Sequence, residues 1–162
     1  MNNHIRFCAV VQAPFGRMGI RTESGMLREL VYLPSNYELV PPTSALAKKV
    51  AQQMQNYFDD PAFQFDLPIA QLGTAHQQKV WKAISSIPLG QVATYGQIAK
   101  LIASAPRAVG QACGANFYPL IIPCHRVTAA NGLGGFANQD ASTSYQLQIK
   151  RWLLRHEGVH GY

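Results

Sequence analysis

A chain of 162 residues, 48% of them hydrophobic, has room for one large or two small globular domains, and no apolar run approaches the roughly 20 residues that span a bilayer. No secretory leader is expected from the N-terminus. Three widely spaced cysteines, Cys8, Cys113 and Cys124, suit a reducing cytoplasm better than a disulfide framework, and no C-x-x-C pair offers a structural zinc site. The net charge of +6 is uneven: residues 1–66 carry six basic and six acidic side chains, whereas residues 67–162 carry eight Lys/Arg against Asp140 and Glu157 alone, as a surface that meets a polyanion would.

The first part, residues 1–66, reads as short strands followed by a helix. Ile5–Val11, Arg17–Thr22 and Met26–Leu33 are strand-like, separated by Pro14-Phe15-Gly16 and Glu23-Ser24-Gly25. From Ser44 to Phe58 the apolar residues Leu46, Val50, Met54, Tyr57 and Phe58 recur at helical spacing, and Asp59-Asp60-Pro61 ends the pattern. Residues 59–73 read as a surface linker.

The second part, residues 67–162, is mainly helical. Thr74-Ala75-His76-Gln77 and Thr94-Tyr95-Gly96-Gln97 are capping boxes, each opening an amphipathic helix. After Ala103-Ser104-Ala105, Pro106 starts a third helix running to about Ala115, where proline is tolerated. Two short helices around a tight turn make a helix-turn-helix. A final helix is expected over Ser142–His156. The fold class is α+β: a sheet-and-helix domain, then a mainly helical domain with a winged helix-turn-helix-like motif.

The chemistry concentrates in Ile121-Ile122-Pro123-Cys124-His125-Arg126-Val127. A short apolar run, read as a buried strand, stops at a proline, and a thiol, an imidazole and a guanidinium follow. A thiol with an ordinary pKa near 8.5 is only a few per cent thiolate at neutral pH, so it needs a base. His125 is adjacent, and Glu157 is the natural group to orient it in a region with so few acids. Asn116, eight residues before Cys124, is placed to brace the loop. The third helix is rich in Ala and Gly, which lets its backbone approach another surface but offers few side chains to read base edges, so DNA binding there would be sequence-neutral. Gly132-Leu133-Gly134-Gly135-Phe136 suits a loop folding over a pocket, with Phe136 stacking on a planar ligand.

These segments resemble the O6-alkylguanine-DNA alkyltransferases, the methylated-DNA–protein-cysteine methyltransferases, over residues 73–158. The motifs are Gly73-Thr74, Val80-Trp81, Ile87-Pro88-Leu89-Gly90, Thr94 to Ala99, Arg107-Ala108-Val109-Gly110, Asn116, Pro123 to Val127, and Leu153 to Gly158. The resemblance implies that Cys124 irreversibly accepts the alkyl group in a single turnover. It implies that His125 takes the thiol proton through a water, that Glu157 orients His125, and that Asn116 links the helix-turn-helix to the cysteine loop. Tyr95 would help rotate the nucleotide and protonate guanine N3, while Arg107 fills the gap. Ala108, Gly110 and Gly114 would face DNA with Arg107 and Tyr95. The pocket would comprise Val127, Phe136, Lys150 and Trp81, and Arg126 would pair with Asp59, Asp60 or Asp66. The implied partner is double-stranded DNA containing O6-alkylguanine, met by a monomer without cofactor or metal; cooperativity on DNA stays open. Departures from the family pattern are Phe117 after Asn116, Phe136-Ala137-Asn138 in the loop, and His76 where phenylalanine is common. The alternative is a non-catalytic protein that flags alkylated bases for excision repair, a class that usually carries tryptophan in place of the cysteine.

Overall fold

The computed structural model describes residues 6–134 and 145–162. Gly135, Phe136 and Asp140 lie outside the described residues, and so does the expected start of the last helix. The chain divides into two compact units, Met1–Gln71 and Leu72–Tyr162.

In the first unit β1 (Ala9–Ala13), β2 (Gly16–Glu23) and β3 (Met26–Leu33) form an antiparallel meander. Ser24 and Gly25 join β2 to β3 with φ of 53° and 77°, the double positive φ of a type I′ hairpin turn, whose twist matches that of the strands. Helix α1 (Ala45–Asp59) is capped by Ser44, whose hydroxyl accepts from the Ala47 amide at 3.1 Å. It packs against β1 and β2, burying Val50, Met54 and Tyr57 in a core with Met18, Ile20 and Leu27. Residues 67–71 are not a loose linker. The Leu27 amide donates to Pro68 O at 2.7 Å, and the Ala70 amide to Leu27 O at 2.9 Å, so the divide falls after Gln71 rather than after residue 66.

The second unit begins with α2 (Ala75–Ser85), whose capping box from Thr74 and Gln77 is fully formed. Strand β4 (Ala93–Thr94) leads into α3 (Tyr95–Leu101), where Thr94 and Gln97 form the second box. The turn to α4 (Pro106–Gly114) passes through Ala103 at φ 55°. His76 Nε2 lies 2.9 Å from Ser104 Oγ, fastening this turn to the start of α2. Ile121-Ile122 is not a strand. The Ile122 amide donates to Tyr118 O at 2.8 Å, and the chain turns twice before a single 3-10 turn, Cys124–Arg126. The apolar run is buried by being folded back, which a short run without periodicity cannot distinguish from a strand. Strand β5 (Val127–Thr128) pairs in parallel with β4, setting Thr94 opposite Thr128. Tyr95 therefore starts α3 beside the end of the cysteine turn. Helix α5 (Tyr145–His156) packs against that turn. Among the described residues no helix is long and apolar enough to cross a membrane.

Candidate active site

Cys124 opens the 3-10 turn and is 5% exposed. Asn116 braces it, and three hydrogen bonds show how. Its side-chain amide donates to Ile122 O at 2.9 Å and to Cys124 Sγ at 3.3 Å, while its Oδ1 accepts from the Tyr118 amide at 2.8 Å. The expected connection between α4 and the cysteine loop is thus a direct one.

His125 is buried, with Nε2 2.8 Å from Glu157 Oε2. Glu157 also accepts from Arg126, with Nε to Oε1 at 2.8 Å and Nη2 to Oε2 at 3.1 Å, while Arg126 Nη1 donates to Ile87 O at 2.7 Å. A carboxylate already gripped by a guanidinium can only accept, so the network assigns the imidazole proton to Nε2. Nδ1 is then the basic nitrogen, buried and without a hydrogen-bond partner among the described residues. Burial holds the His125 pKa below its usual value, against the opposing pull of Glu157, so the imidazole is neutral at pH 7. The pairing expected between Arg126 and Asp59, Asp60 or Asp66 is corrected here. Its partner is Glu157, brought in by the end of α5, and the ion pair is almost fully desolvated on the carboxylate side.

Lys150 is fully buried on α5. Its Nζ donates to Val127 O at 2.7 Å and lies 5.8 Å from the centroid of the Tyr95 ring. Burial lowers its pKa to about 8, so at neutral pH it is still mostly cationic. That charge favours the Cys124 thiolate, as the Asn116 hydrogen bond does. Contact with the Cys113 thiol and burial outweigh both and leave the resting thiol well above its usual pKa. The Tyr95 hydroxyl is likewise pushed up, by burial first and then by the two cysteines; it keeps its proton and can donate it. Val127 O retains a second lone pair beyond the one Lys150 uses. Gly134, at φ 75°, passes so close to Tyr95 that a Cβ there would sit 3.0 Å from the ring and 3.1 Å from the Ala129 amide.

The structure thus gathers Cys124, His125, Glu157, Asn116, Tyr95, Val127 and Lys150. Trp81 serves a different place, with its indole nitrogen donating to Ala112 O at 2.8 Å and locking α2 onto α4. Phe136 lies outside the described residues. Arg107 is exposed in the first turn of α4, Ala108, Gly110 and Gly114 are half-buried along it, and a Cβ on Gly110 would meet nothing closer than Tyr95 Cε1 at 4.0 Å. Cys113, half-buried near the end of α4, is the neighbour that does most to hold the Cys124 thiol above its usual pKa.

Residues 75–159 match the family model for the 6-O-methylguanine DNA methyltransferase DNA-binding domain. A methylated-DNA–protein-cysteine methyltransferase of Methanosarcina acetivorans is 34% identical over 160 residues, covering 94% of this chain and 98% of its own. One of Shigella flexneri is 38% identical over 136 residues, covering 82% and 74%. Among solved structures, the Mycobacterium tuberculosis O6-methylguanine methyltransferase superposes with a TM-score of 0.75 at 32% identity, covering 91% of this chain and 90% of that one. The M. tuberculosis OGT in complex with DNA does so with 0.74, at the same identity and coverage. A family model matched over residues 75–159 and a relative 34% identical over 94% of the chain place this chain in the methylated-DNA–protein-cysteine methyltransferase family.

Proposed function

We propose that the protein repairs DNA by direct reversal, moving the alkyl group from guanine O6 onto Cys124 Sγ in one irreversible turnover. The carrying observation is the buried Cys124 turn, where a neutral imidazole held by Glu157 and Arg126 stands next to a thiol already bonded by Asn116. A resting thiol with a high pKa needs that help. His125 Nδ1, through a bridging water, takes the proton as Sγ attacks, and Lys150 and Asn116 stabilise the thiolate. The O6–alkyl bond breaks as the S–alkyl bond forms, and the electron pair returns to the purine, where the Tyr95 hydroxyl protonates N3. A thioether is a poor leaving group, and the protein is spent.

A base in the stack hides O6, so the nucleotide must be extruded, at a cost of a few kcal/mol. In this reading α4 enters the duplex, its small residues letting the backbone approach while Arg107 fills the vacated space. Cytoplasmic residence agrees with three free cysteines. The test is intact mass spectrometry after mixing the protein with a duplex carrying O6-methylguanine. One stoichiometric gain of a methylene, about 14 Da, on Cys124 and absent in Cys124→Ser is expected. Tight binding to the lesion without a mass gain would replace repair by damage sensing.

A further inference from the structure

The turn between α3 and α4 is weakly fixed by its own sequence. The Ser104 amide returns to Ala99 O at 2.8 Å and the Ala103 amide to Lys100 O at 3.5 Å. This is a Schellman closure, and it puts Ala103 at φ 55°, where glycine is preferred. On the far side, Ala105 is the N-cap of α4 and makes no side-chain hydrogen bond, although a hydroxyl, carboxylate or carboxamide is the usual choice there. Neither helix end at the turn has the residue type that normally holds it. Ser104 stands one residue too early to cap α4, and its Oγ lies 2.9 Å from His76 Nε2 instead. His76 is in the first turn of α2, whose capping box is complete, so the ring is held at a fixed point. At the other end of α4, the Trp81 indole nitrogen ties the same helix α2 to Ala112 O.

We propose that His76 is a positioning residue for duplex binding: through Ser104 it holds the turn ahead of α4 and so sets the angle at which Arg107 and the first turn of α4 meet DNA. The inference rests on the reading that α4 enters the duplex. Trp81 fixes the far end of α4 and His76 the near end, and two such points set the tilt of a rigid helix. Arg107 follows Ser104 by three residues, so the arginine moves with the turn. Releasing the near end lets the turn visit other positions, and affinity falls by the fraction of time spent outside the competent one. The bond lies at the surface, so its net worth is that of an ordinary hydrogen bond. The hydrogen bonds of Asn116 around Cys124 involve neither residue. The latch therefore acts on affinity and leaves the chemistry of the bound complex alone.

The test measures binding of the full chain to an unmodified, fluorescein-labelled duplex by anisotropy, with far-UV circular dichroism on each sample. His76→Ala and Ser104→Ala are each expected to weaken binding about fivefold, the equilibrium worth of one net hydrogen bond. The double variant is expected to lose about fivefold as well, since both changes remove the same bond. His76→Gln, whose amide nitrogen reaches about as far as Nε2, is expected to bind within about twofold of wild type. At saturating O6-methylguanine duplex, His76→Ala is expected to transfer methyl at the wild-type rate. Unchanged affinity in both single variants, or losses that multiply in the double one, overturns the proposal. A fall in the saturated rate does so too, since it would mean a general loosening of the fold. Arg107→Ala, run beside them, tests the α4 reading. If it weakens binding while the His76 and Ser104 variants do not, the latch alone falls; if none of them weakens binding, α4 leaves the duplex as well. Wild type that binds without transferring methyl loses the repair reading, and the affinities still decide the latch.

Discussion

At the scale of single residues, the site depends on Glu157, which answers to His125 and Arg126 at once. Removing one partner of a buried ion pair costs about 3–5 kcal/mol, so Glu157→Ala would confuse instability with lost chemistry. Glu157→Gln keeps the shape and an acceptor oxygen but removes the charge that supports the imidazole proton at Nε2. We expect the folded variant to transfer methyl at least about 100-fold more slowly, the usual worth of a positioned acid–base group. Single-turnover kinetics with far-UV circular dichroism on the same sample check this. Full-rate transfer would mean that His125 needs no anionic partner.

At the scale of elements, α4 shows stability set against function. Gly110 has no positive φ, and a Cβ there would meet only ordinary contact with Tyr95. Alanine in a helix is favoured over glycine by about 1 kcal/mol, so Gly110→Ala is expected to raise the melting temperature by a few degrees. If the α4 backbone comes close to DNA, the same methyl group lowers duplex affinity. Calorimetry and fluorescence anisotropy on one protein read the two effects, and unchanged affinity would move the DNA contact off this helix face. The legible parts of this unit were local ones. Both capping boxes are satisfied by residues three apart, and Pro106 has a single tolerable place in α4. Ile121-Ile122 misled because its turn is made by Asn116 and Tyr118, and a short apolar run carries no period to reveal that.

At the scale of the whole molecule, folding takes His125 into a site that disfavours its charge. Its folded pKa lies below the ordinary value near 6.5, so under acid conditions the unfolded chain binds a proton that the folded one refuses. Stability from this group is therefore present above about pH 6.5 and is lost as pH falls below it. Urea midpoints measured from pH 7.5 down to 5.5 are expected to fall. The transfer rate of the protein that stays folded should hold to lower pH than an ordinary histidine allows, since burial keeps Nδ1 unprotonated. A rate that falls with an ordinary histidine titration near pH 6.5 would mean that burial does not hold the His125 pKa down.

The sequence alone determined what is local or compositional: the balanced first part and basic second part, two capped helices, the short helices of a helix-turn-helix, and a thiol next to an imidazole. It also carried enough ordered motifs between residues 73 and 158 to show a family resemblance. Only the tertiary structure decided the pairings that bridge distant segments: Arg126 with Glu157 across 31 residues, Lys150 with Val127 across 23, and Trp81 with Ala112 across 31. The physical reason is that a buried charge or thiol must take the partner that packing delivers. Periodicity says which face of a helix is buried, but not which atom from another element will meet it there.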